Sequence, residues 1–126
     1  MFYNISDEKA RDLLAGFCRD RGIRPVFVKN QQYDVPVGFV AYGTDQQQAD
    51  YLRKEAGPGF EDTMMVLAGL PRNRVFEVLG AMKTATLPLI SYKAVLTEFN
   101  AVWTSVQLFE QLEEERRGFE EAKKMQ

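Results

Sequence analysis

Two runs of apolar residues at helical spacing, each held between extended segments, constrain this chain more than any other feature. The first run is Ala10, Leu13, Leu14, Phe17 and Cys18; the second is Val75, Val78, Leu79 and Met82. Residues three and four apart lie on one helix face, so each run predicts a helix with one buried stripe. "FYNI" (2–5) and "RPVFV" (24–28) flank the first run, and "TMMVLAGL" (63–70) and "LPLISYKAVL" (87–96) flank the second. These four segments are rich in residues that favour strands. The two stripes share one offset, and Pro25 and Pro88 nearly keep it, so the halves read as a duplication. A β-α-β-β-α-β order predicts an α+β, ferredoxin-like fold: duplicated β-α-β units forming an antiparallel four-stranded sheet, with the helices on one face. Neither half alone covers its apolar surface, which favours both halves sharing one sheet.

Local punctuation sets the expected boundaries. Ser6 is placed to cap the first helix, with Asp7 and Glu8 at its positive end, and Gly22 stops it. Pro71 suits the first turn of the second helix. Residues 30–43 read as a turn followed by a short apolar piece, Val37–Tyr42. Residues 44–62 form a polar connector containing Gly57-Pro58-Gly59, with one or two exposed helical turns expected between Gln46 and Ala56. Thr104 and Gln107 carry a capping-box spacing that opens a C-terminal helix over 104–124. Glu113→Arg117 and Glu120→Lys124 support that helix, and Gly118 weakens it. The expected organisation is therefore a single domain over 1–126, built from halves 2–43 and 63–103, connector 44–62 and the C-terminal helix.

Composition narrows the chemistry. The chain has 126 residues, a formal net charge of −2 and no histidine. The missing histidine removes the commonest general base and metal ligand, and with it any Ser-His-Asp, Cys-His or Cys/His zinc arrangement. No loop has calcium-binding spacing, so no metal and no cofactor are expected. The acidic balance gives no general attraction to nucleic acid. "FYNI" and "TMMVLAGL" offer one aromatic pair and no basic residue, which disfavours an RNA-recognition surface of this topology. One cysteine, no secretory signal in "MFYNISDEKA" and no run long enough to span a bilayer give the expectation of a cytoplasmic protein without membrane association.

The second half carries "GFEDTMMVLAGL", "LPLI", "KAVLT", Asn100, Trp103 and "LFEQLEEE". In these residues the chain resembles a bacterial family catalogued as domain of unknown function 3783. The likeness is strongest over 59–115, with a looser echo in "VPVGFVA". The resemblance implies a small cytoplasmic single-domain protein and no particular reaction. The family usually has Pro where this chain has Ser91 and Glu98, and often His where it has Glu115. Any family activity that used that His is lost here.

Candidate ligand-binding residues are Lys93, Thr97, Asn100, Trp103 and Gly38. Lys93, Thr97 and Asn100 are polar groups that can converge on a ligand, with Trp103 as an apolar wall and Gly38 admitting close backbone approach. The competing structural reading makes Thr97 and Asn100 turn caps and Trp103 an anchor for the last helix, leaving Lys93 the least explained. Glu61 and Asp62 are adjacent on an extended segment and point to opposite faces, so they read as a solvated turn. Cys18 reads as a packing residue, since no His is present to activate it. No catalytic residue is assigned. Two functions from different classes remain: a non-catalytic binding or interaction module, with a homodimer or protein partner through a sheet edge or through Phe109, Leu112 and Phe119; and a regulatory domain sensing a small-molecule ligand near Lys93, Thr97 and Asn100.

Overall fold

The computed structural model describes residues 1–55, 57 and 59–125. They form two compact units, one of 1–29 with 61–96 and one of 30–60 with 97–126.

The first unit holds the sheet. β1 (Phe2–Tyr3), β2 (Met64–Leu67) and β3 (Tyr92–Val95) lie in that order, with β1 antiparallel and β3 parallel to β2. The expected ferredoxin-like sheet of four antiparallel strands is thus replaced by a mixed sheet of three. Two physical causes stand out. In a ferredoxin-like split β-α-β unit another strand separates the two that a helix joins. Here β2 and β3 pair directly, Met64 opposite Tyr92 through Leu67 opposite Val95. Prolines also shorten the candidate strands, because Pro has no N–H to give a ladder. Beside Pro25, residues 24–28 make a single parallel bridge, Phe27 to Phe2. Beside Pro88, residues 87–91 stay out of the sheet.

α1 (Glu8–Arg19) and α4 (Arg72–Thr84) supply the two stripes. The cap of α1 is Asp7, whose carboxylate accepts from Ala10 N–H at 3.1 Å, one residue beyond the expected Ser6. Gly22 takes φ +69°, a left-handed conformation glycine adopts without steric cost, and the reversal lets Ile23 N–H reach Cys18 O at 2.8 Å. Phe2, Leu14, Phe17, Cys18, Met65, Leu67, Val75, Val78 and Ile90 form the core of this unit. Burial raises the Cys18 thiol pKa, in keeping with a packing role.

The second unit is helical. α2 (Val37–Tyr42) and α3 (Asp45–Ala49) follow a short 3-10 turn at Asn30–Gln32, and α5 (Ser105–Lys124) closes the chain. Val37–Tyr42 is therefore a helix, and α3 lies in the connector where exposed helical turns were expected; Ala56 and Pro58 of that stretch fall outside the described residues. The capping box at Thr104 and Gln107 forms, and a second one forms at Thr44 and Gln47. Tyr33, Val35, Val37, Val40, Phe60, Leu108 and Phe109 are buried. Tyr33, Phe60 and Phe109 stack in sequence, with centroids 5.0 and 4.4 Å apart.

Candidate functional site

Most of the side chains singled out in the sequence have local structural work. Thr97 N–H donates to Asn100 Oδ1 at 2.8 Å, and Asn100 N–H donates back to Thr97 Oγ1 at 3.2 Å. This reciprocal pair holds the turn that leads to Ala101, whose N–H reaches Thr97 O. Half-buried Trp103 contributes its carbonyl, which accepts from Val37 N–H at 2.7 Å. Gly38 N–H donates to Ala101 O at 2.8 Å, and a Cβ on Gly38 would stand 3.0 Å from the Ala101 Cβ and 3.1 Å from its carbonyl oxygen. Glycine at this position is what lets α2 sit against the 97–102 turn. The structure thus brings Gly38, Thr97, Asn100 and Trp103 into one unit, while Lys93 is an exposed residue of β3 in the other.

The contact of α2 with the 97–102 turn forms one wall of an open cleft of about 600 Å³. Its lining is Pro36, Gly38, Phe39, Tyr42, Gly43, Gln47, Tyr51, Ala101 and Val102. The volume falls in the range of small-ligand and peptide sites. Tyr42, Tyr51 and Val102 are 67%, 45% and 73% exposed, so their apolar area faces water and no core residue covers it. Phe39 and Tyr51 meet at 6.1 Å with rings tilted by 56°. Of this lining only Gly38 was a candidate ligand-binding residue from the sequence. The available signal was a pair of tyrosines on either side of a polar connector helix, where packing gives no reason for large aromatics.

Two devices hold the connector that carries this wall. Gln48 Nε2 donates to Phe39 O at 3.0 Å, tying α3 to α2. Arg53 grips Asp34 with two bonds, Nε to Oδ2 at 2.7 Å and Nη2 to Oδ1 at 2.9 Å, and its Nη1 reaches Gly57 O at 3.1 Å. Asn30 closes the same loop, accepting from Gly57 N–H at 3.0 Å. The hydrogen bonds from Arg53 lower the Asp34 pKa, and its charge adds to the effect. Two parallel bonds are the strong form of this ion pair. The Asp34 carboxylate is half exposed, so the clamp is screened, and Arg53→Ala is expected to cost about 1 kcal/mol. Urea unfolding at pH 7 measures it. Because a lowered carboxylate pKa stabilises above the unfolded value and is lost on acidification, the gap between wild type and variant should close as pH falls below about 4.

The described residues contain no group of His, Cys, Asp or Glu able to hold a metal ion and no helix long and apolar enough to cross a membrane. Of the residues considered for self-association, Phe109 lies buried against Phe60, Leu112 is half-buried, and Phe119 is exposed with Lys123 over its ring. No curated protein and no solved structure matches the chain. Residues 63–119, a little under half of the chain, match the family model described as Domain of unknown function (DUF3783), and over β2, α4, β3 and most of α5 the chain resembles that family.

Proposed function

We propose that the chain is a non-catalytic recognition module, and that the cleft of α2, α3 and the 97–102 turn receives an exposed segment of a partner protein. The observation that carries this reading is the exposure of Tyr42, Tyr51 and Val102 around a lining without Asp, Glu, Lys, Arg or Cys. Such a surface binds by shape and apolar contact and offers no strong acid, base or nucleophile. Tyrosine suits it well, since it presents a large, stiff contact area with a polar tip. The alternative of a small polar ligand on Lys93, Thr97 and Asn100 has less support, because the Thr97 and Asn100 side chains already serve each other's backbone. A homodimer built on α5 would rest on Phe119 and Leu112, since Phe109 is committed to its stack.

A peptide-display selection on the immobilised protein tests the reading. Peptides are expected that bind the wild type and lose about tenfold or more on Tyr51→Ser, in line with aromatic anchors elsewhere. Wild-type-like circular dichroism of the variant shows that the fold is kept. Selected peptides that bind Tyr51→Ser and Tyr42→Ser as well as wild type would place recognition elsewhere, and a selection with no enrichment would remove the module reading.

A further inference from the structure

We propose that the partner segment presents a basic side chain to this cleft, arginine in preference to lysine, on an extended backbone. The proposal rests on the recognition-module reading and adds the chemistry of the partner.

Three observations converge on it. The first is aromatic. Phe39, Tyr42 and Tyr51 all line the cleft, and ring faces carry negative quadrupole charge that attracts a guanidinium or ammonium. Tyr42 and Tyr51 are largely open to solvent, and the 56° tilt between Phe39 and Tyr51 keeps those two from closing into a face-to-face stack.

The second is charge. Asp45, Asp50 and Glu98 are exposed, and each lies within three residues of a lining residue. None makes an ion pair among the described residues. The cations equally near in sequence are Arg53, which is held by Asp34, and Lys54. With Lys54 set against Asp45, Asp50 and Glu98, the unpaired charge near the cleft is on balance acidic. At physiological salt the screening length is about 8 Å, so exposed carboxylates on the residues that flank the lining bias the cleft toward a cationic occupant.

The third is an amide donor. Gln47 lines the cleft, and its Oε1 accepts from Thr44 N–H at 2.9 Å in the capping box. That bond commits Oε1 to the backbone. The Nε2 donors make no hydrogen bond among the described residues and are available to a carbonyl. An extended peptide offers a carbonyl at every residue and a compact free cation offers none. The cleft volume also exceeds what one guanidinium fills, leaving room for backbone and a neighbouring apolar residue.

The test uses four capped pentapeptides, Gly-Pro-X-Pro-Gly, with X as Arg, Lys, Gln or Glu, titrated into the 15N-labelled full chain. The expected result is shifts at Tyr42, Gln47, Tyr51 and Val102, with Arg tightest, Lys next, Gln weaker than Arg by roughly fivefold or more, and Glu weakest. The advantage of Arg over Gln should shrink between about 0.05 and 0.5 M salt. A triple D45N/D50N/E98Q variant, its fold verified by the dispersion of its own spectrum, should reduce that advantage and leave the Gln peptide unchanged. Equal affinity of the Arg and Gln peptides at the cleft overturns the cationic preference and leaves the recognition module standing. Absence of cleft shifts with all four peptides overturns the proposal outright, and the display selection then decides the module separately.

Discussion

Phe60→Ala should destabilise the helical unit by about 3–5 kcal/mol, the range for emptying a buried aromatic site. Phe60 is 8% exposed and is the middle ring of a stack, 5.0 Å from Tyr33 at 18° and 4.4 Å from Phe109 at 7°. Removing it takes away its own burial and leaves both neighbours facing a void. Offset ring pairs add about 0.5–1.5 kcal/mol each beyond area. The position also matters for the site. Phe60 lies near the end of the connector, and the connector carries Gln47 and Tyr51 of the cleft. Phe60→Leu keeps most of the volume and should cost less than half as much. Urea midpoints give the two values, and hydrogen exchange locates the loss, expected over residues 30–55. An Ala variant within about 1 kcal/mol of wild type would mean that the stack does not hold this unit together.

Helix positions were legible in the sequence where the signal is local. The stripes at 10–18 and 75–82 became α1 and α4, because 3.6-residue periodicity and a single buried face fix a helix without reference to distant residues. Thr97 and Asn100 form their turn, and Thr104 and Gln107 their capping box, because each pair is three residues apart and satisfies itself. Strand pairing was not legible. The same β-α-β pattern is compatible with a split or a direct parallel pair, and the choice is made by contacts between residues far apart in the chain. The conformation of Val37–Tyr42, read from the sequence only as a short apolar piece, was not legible either. "VGFVAY" holds residues that favour strands, yet Val37 and Gly38 donate their N–H groups to Trp103 and Ala101, and Phe39 and Val40 bond back to Pro36 to start a helix. Tertiary contact decided against local propensity.

The family match separates the cleft from the rest of the chain. Residues 63–119 include β2, α4, β3 and the turn that supplies Ala101 and Val102. Pro36, Gly38, Phe39, Tyr42, Gly43, Gln47 and Tyr51 lie before that region. All three aromatic rings, the amide donor, Asp45 and Asp50 thus come from sequence outside the match, and Glu98 comes from inside it. The recognition proposed for the cleft is accordingly built mainly on the 30–60 segment, which Arg53 and Phe60 hold in place.

Stability of the polypeptide that begins at Met1 is expected to rise between pH 6 and pH 8 by about 2 kcal/mol. The α-amino group donates to Val66 O at 2.8 Å, while Val66 N–H donates to Met1 O at 2.8 Å, extending the β1–β2 pairing by one residue. Burial lowers the amine pKa from 8.0 to about 6, with a smaller opposing influence from Cys18. The folded chain therefore holds this proton less well than the unfolded chain. Between the two values the unfolded state binds more protons, so unfolding is favoured as pH falls from 8 towards 6 and the effect levels off below 6. Two units correspond to roughly 2.7 kcal/mol, and solvent reaching the half-buried residue brings the expectation to about 2. Asp34 contributes in a different window, because its lowered pKa acts only below the ordinary carboxylate range. Urea midpoints at pH 6.0, 7.0 and 8.5 give the slope. An Nα-acetylated chain has no amine to titrate and should be flat across that window, whatever its absolute stability. An unacetylated chain that is equally flat would show that the amine stays charged in the fold, with the Val66 carbonyl holding an ammonium rather than a neutral amine.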